Sequence, residues 1–179
     1  MSDAPVVPDS SEVLALDGDA LTATHEFLGF VIAGENYGLP LRTVREILKV
    51  PPVTEVPRAA HDILGIISVR GRVTTVIDLR RRLHVDERPA TKQSRILLVD
   101  EGEEVLGLLV DEVLQVFRLR EDELELAAAV GGDTAEYVLG IGRPGSSKVG
   151  PRSGRGGDQN LQHAHDILIL LEPQTLLRS

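Results

Sequence analysis

Four groupings in this 179-residue chain have residue types and spacing that chemistry could use. Gly140-Ile141-Gly142-Arg143-Pro144-Gly145 matches G-x-G-x-x-G, the pattern that lets a backbone approach a pyrophosphate. That use needs a helix to open directly after the glycines, so that its free amides face the phosphates. A run rich in Gly, Ser, Pro and Arg follows instead, so no nucleotide site is expected. His163 and His165 alternate beside Asp158 and Asp166, but metal sites want three or four ligands at suitable spacing, and a chance pair accounts for them. The carboxylate pairs Asp100-Glu101, Glu103-Glu104 and Asp111-Glu112 fall at expected strand ends and turns, where solvation explains them. Cysteine is absent, which removes thiolate catalysis, thiolate metal sites and disulfides. No catalytic residue, metal ligand or cofactor is nominated.

The fourth grouping is polar and structural. Glu46 sits among Ile47 and Leu48, and Arg70 follows Ile66, Ile67 and Val69 just before Gly71. The bland reading points each to solvent. The alternative is a Glu46–Arg70 ion pair that shapes a surface groove, and truncating one partner of such a pair, if buried, costs about 3–5 kcal/mol.

Composition narrows the partners. Net charge is −9, from 28 acids against 19 bases, and there are only five aromatic residues. Nucleic-acid binding draws on excess positive charge and on clustered rings, so it is excluded. No apolar run approaches the roughly 20 residues that cross a bilayer, and the acidic N-terminus has no signal-peptide character, so the chain reads as cytoplasmic. The charge is polarised: residues 58–95 carry nine bases and four acids, and residues 100–125 carry ten acids and two bases. Two such ends suit two different protein surfaces.

The elements that must position these residues read as short strands. Residues 1–23 form an acidic tail without periodicity, expected to be disordered. Phe27–Ile32 and Tyr37–Pro40 form a hairpin turning at Gly34-Glu35-Asn36. Leu41, Val44, Ile47 and Leu48 recur at helical spacing and predict a two-turn helix. Ile63–Val69 and Val73–Ile77 are two strands joined at Gly71, and Asp78 caps a short helix Leu79–Leu83. Ile96–Val99 and Val105–Val110 repeat the opening theme. A shift of 69 residues lays Phe27 on Ile96, Gly38 on Gly107, Leu39 on Leu108, Val44 on Val113 and Ile47 on Val116. Tyr137–Ile141 and Ile167–Leu171 are further strands, Pro173–Leu177 is one helical turn, and residues 143–164 form a flexible insertion between the last two strands. Residues 24–179 thus form one mostly β domain of two small barrel-like lobes.

Together these segments resemble the CheW family, the adaptors of bacterial chemosensory arrays. The resemblance runs through Gly34-Glu-Asn-Tyr-Gly-Leu-Pro-Leu-Arg-Thr-Val-Arg-Glu-Ile-Leu48, Gly65-Ile-Ile-Ser-Val-Arg-Gly-Arg-Val-Thr-Thr-Val-Ile-Asp-Leu79 and Leu106-Gly-Leu-Leu-Val-Asp-Glu-Val-Leu-Gln-Val116. Ser68-Val69-Arg70-Gly71 stands where the family usually has Asn-Leu-Arg-Gly. The resemblance implies two SH3-like five-stranded barrels side by side with intertwined lobes, no catalysis, and no cofactor. It implies coupling of chemoreceptor cytoplasmic tips to a CheA-type histidine kinase at the inner face of the membrane, without membrane insertion. The residues expected to meet the receptor are Val44, Glu46, Gly65, Val69, Arg70 and Gly71; those expected to meet the kinase are Leu41, Ile47, Glu125 and Val130. The alternatives are a detached kinase regulatory domain, a scaffold of a non-flagellar motility or developmental two-component system, and, least favoured, a small hydrolase.

Overall fold

A computed structural model of the chain describes residues 23–102, 104–126, 135–145 and 167–178. Most of the expected tail, the insertion beyond Gly145, His163, His165 and Val130 lie outside the described residues. Strands β1 (Thr24–Ile32) and β2 (Glu35–Pro40) pair antiparallel, from Phe27 opposite Pro40 to Ile32 opposite Glu35. Their turn is Ala33-Gly34, both at positive φ (53° and 85°), so Glu35 and Asn36 already belong to β2 and not to the turn. Two successive left-handed residues match the twist of a two-residue hairpin.

The helix expected over Leu41–Leu48 does not form. A 3-10 turn, Leu41–Thr43, leads directly into β3 (Val44–Lys49), which pairs with β6 (Arg95–Glu101). The apolar spacing at 41, 44, 47 and 48 also fits a strand with a bulge, and the register shift between Val44 and Glu46 supplies that bulge. Tertiary pairing decides between two periods that the segment alone satisfies equally. The hairpin β4 (Ile63–Val69) and β5 (Arg72–Asp78) turns at Arg70-Gly71, and Asp78 Oδ1 accepts from Arg80 N at 2.9 Å to cap α1 (Leu79–Arg82). β7 (Glu104–Val110), β8 (Glu112–Arg120), β9 (Leu124–Leu126), β10 (Val138–Gly142), β11 (Leu168–Leu171) and α2 (Pro173–Leu177) complete the chain.

Two sheets result, ordered β3-β6-β7-β5-β4 and β8-β1-β2-β11-β10-β9. The first has the five strands expected and the second has six. The lobes are intertwined, because the third strand of each repeat pairs with the first strand of the other: β3 with β6, and β8 with β1. Each lobe is also crossed by one parallel pair, β5 on β7 and β11 on β2. Just beyond, Asp78 caps α1 and Glu172 caps α2 through its own side chain.

The corresponding first strands β1 and β6 are buried on both faces, which is why their apolar runs do not alternate. One face of each joins a central core: Leu28, Phe30 and Ile32 from β1, and Leu97 and Val99 from β6, with Tyr37, Leu39, Leu108, Val110 and Leu171. The opposite faces line two smaller clusters, Phe27 with Leu119, Leu168 and Leu170, and Ile96 and Leu98 with Ile67, Val76 and Leu109. The central core draws on both sheets, so the lobes are fused rather than hinged.

Candidate interaction surface

Glu46 and Arg70 meet, in a setting the sequence does not announce. Glu46 lies on β3 and Arg70 in the β4–β5 turn, and these are the two opposite edges of the five-stranded sheet. Arg70 Nη2 nevertheless donates to Glu46 Oε1 at 2.6 Å. The sheet therefore curls until its edges face each other, and the pair spans the seam over the cluster of Ile67, Ile96 and Leu98. Arg70 holds φ +49°, uncommon for a side-chain-bearing residue, and Gly71 follows at +80°. The pair is not buried: the Arg70 side chain is 73% exposed. The expected cost of a broken buried pair does not apply to it, and its place is on the surface. The hydrogen bond from Arg70 holds the Glu46 carboxyl below the usual carboxylate range.

Around the seam the expected receptor residues divide. Val69 packs on the lobe's own cluster, beside the pair. Gly65 sits below it at φ +152°, and a Cβ there would lie 2.3 Å from the Thr54 carbonyl oxygen, so the close approach of the 53–54 segment needs glycine. Val44 lies on the other side of the bulge and packs against the central core, away from Val69. Of the kinase residues, Leu41 packs against the central core, and Ile47 is 43% exposed on β3. Glu125 is on β9 of the six-stranded lobe, 3.3 Å from Arg143. It borders a groove of about 390 Å³ floored by Phe27, Leu124, Leu139 and Leu170.

Two features escaped the sequence reading. Asp111, assigned there to solvation, makes a two-pronged pair with Arg80, whose Nε donates to Asp111 Oδ1 at 2.7 Å. Asp111 Oδ2 also accepts from Ala33 N at 2.8 Å, and Arg80 Nη1 donates to the Asp86 carbonyl at 2.7 Å. The Arg80 side chain is only 9% exposed. Asp111 falls where the chain leaves β7 for β8, so this pair ties α1 of one lobe to the β1–β2 turn of the other. Arg81 and Arg82 are likewise held, by Glu87 and Asp62. Much of the positive block at 58–95 is thus internal bracing and not free charge. No local mark in the sequence signals this role for Asp111, whose partner lies 31 residues earlier.

Among the described residues no three His, Asp or Glu side chains gather as a metal cage, and no helix is long and apolar enough to cross a membrane. The two carboxylates that line the cleft between Pro40 and Leu177 are engaged: Asp100 with Arg45 at 2.8 Å, and Glu172 in capping α2. Two mixed β sheets with swapped third strands and a common core define a class, the two-lobed, mostly β domain. The CheW-like domain family model matches residues 26–179, and the chain belongs to that family. It is similar to the chemotaxis protein CheW of Helicobacter pylori, 27% identical over 118 residues, 66% of this chain and 72% of that protein. It is similar to CheW of Bacillus subtilis, 37% identical over 98 residues, 55% of this chain and 63% of that protein. The crystal structure of scaffolding protein TtCheW from Thermoanaerobacter tengcongensis matches with a TM-score of 0.70 and 27% identity, covering 88% of this chain and 94% of that one. The chain is a non-catalytic chemotaxis scaffold of this family.

Proposed function

We propose that the chain is an adaptor that joins the cytoplasmic tips of chemoreceptors to the regulatory domain of a CheA-type histidine kinase. The receptor docks at the seam of the five-stranded lobe, and the kinase at the Ile47 edge and at the Glu125 end of the other lobe. These partners put the protein in the cytoplasm, at arrays on the inner face of the membrane. The observation that carries the reading is the Glu46–Arg70 pair: an exposed, charge-assisted contact held by a left-handed turn, on a surface the fold does not need for its core. The fused core supports it further, because a body without a hinge keeps two docking faces at a constant angle.

The test is binding of a receptor cytoplasmic fragment to the purified chain. Arg70→Glu should abolish capture while leaving the melting temperature unchanged, and Glu46→Arg combined with Arg70→Glu should keep the seam paired with its polarity reversed. Equal capture by wild type and Arg70→Glu would remove the receptor from this surface.

A further inference from the structure

The β3 side of the five-stranded lobe carries a second feature. In the β3–β6 ladder Lys49 stands directly opposite Arg95, two positions along from exposed Ile47 opposite Leu97. Directly opposed residues share a face of the sheet, and like charges so placed destabilise it. Arg95 is fixed there, its Nη1 donating to the Lys92 carbonyl at 2.8 Å and to the Ser94 carbonyl at 2.7 Å. The Lys92 backbone is thereby brought to the same corner, and Lys92 and Lys49 are both exposed. Among the described residues no carboxylate lies within ion-pair distance of Lys49, Lys92 or Arg95, in a chain of net charge −9 whose other clustered arginines are internally paired.

We infer that Lys49, Lys92 and Arg95 are a specificity patch, which together with Ile47 recognises an acidic protein surface with an apolar centre. This deepens the reading above, and rests on it, by giving the Ile47 edge a partner chemistry: the kinase regulatory domain must present carboxylates beside the apolar group that covers Ile47. An apolar centre with a charged margin is the ordinary make-up of such a contact, and the charges set partner choice and association rate more than raw affinity. An edge lysine also guards a sheet against pairing with other chains. Reversing its sign separates the two roles, because glutamate guards an edge as well as lysine does.

The experiment measures affinity of the full chain for the kinase regulatory domain, and in parallel for the receptor fragment, across a salt series. Lys49→Glu with Lys92→Glu should weaken kinase binding roughly tenfold or more at low salt and flatten its salt dependence. Lys49→Gln with Lys92→Gln should fall between, and receptor binding should not change. Unchanged kinase affinity and salt slope in both variants would overturn the patch. So would a loss confined to salt-dependent self-association of the chain, which would give the patch to a second copy. Failure of the wild-type chain to bind the kinase domain at all would instead sink the adaptor reading, and the patch's assignment with it.

Discussion

The β4–β5 hairpin of the five-stranded lobe and the β10–β11 hairpin of the six-stranded lobe occupy corresponding places. Each has a register shift just before a glycine, Gly65 or Gly140, and that glycine lets a neighbouring carbonyl approach to 2.3 or 2.4 Å of where a Cβ would be. Each lays its second strand parallel to the second strand of its own lobe's other hairpin, β5 on β7 and β11 on β2, and each runs into a capped helix. They part at the tip. The first closes in two residues, Arg70-Gly71, and presents Arg70 to Glu46. The second leaves β10 through Arg143-Pro144-Gly145, where Glu123, itself buried, accepts from Gly145 N at 3.0 Å. The common parts are those the packing requires, and the tips are where the two lobes are free to serve different contacts.

The same division separates the two ion pairs, and mutations should sharpen it. Arg80→Ala strands Asp111 and its ties to Ala33, and should cost about 3–5 kcal/mol in urea unfolding. Arg70→Ala should leave the unfolding midpoint where it is, while removing receptor capture. A large stability loss from Arg70→Ala would show that the seam pair belongs to the fold.

The two glycines give the next effect. Overpacking costs about 1–3 kcal/mol, and both Gly65→Ala and Gly140→Ala should fall in or above that range by chemical denaturation. Gly65→Ala should be the worse, since φ +152° adds backbone strain to the clash. Equal or reversed costs would mean that the two hairpins are not held alike.

Acidity probes the seam without mutation. The Glu46 carboxyl titrates below its ordinary value because Arg70 bonds to it. A depressed carboxylate contributes fully above the unfolded-state value, and that contribution is lost as pH falls through the folded one. Receptor binding through the seam should therefore persist as pH drops through the usual carboxylate range and fail only below it. The smallest effect concerns residues 143–164. Replacing them by a short Gly-containing turn should shift stability by only about 1 kcal/mol, since loop-closure entropy grows slowly with length. A large loss in calorimetry would make the segment part of the fold.

Local features were legible in the sequence: both early hairpins, the Arg70-Gly71 turn, the Asp78 cap, and the repeat at 69 residues. The swap of third strands was not, because the pairings of β3 with β6 and β8 with β1 join distant segments that carry no local mark. The same blindness turned β3 into a helix, as its apolar spacing suits both periods and only β6 decides. Within the site, Glu46 and Arg70 could be matched by their apolar flanks, but their exposure depends on how far the sheet curls. Val44 and Val69 are grouped by the sequence as receptor contacts, a helix face beside a strand end, but Val44 lies on β3 and packs on a different cluster from Val69. Asp111 looked solvated because an acid after an apolar run gives no hint of an arginine 31 residues earlier.

The most direct measurement of the adaptor claim is retention of the kinase regulatory domain on immobilised receptor fragment. The account predicts retention only when the chain is added, loss of it with Arg70→Glu, and no change in the chain's direct binding to the kinase domain in that variant. Retention without the chain, or retention undiminished by Arg70→Glu, would contradict it.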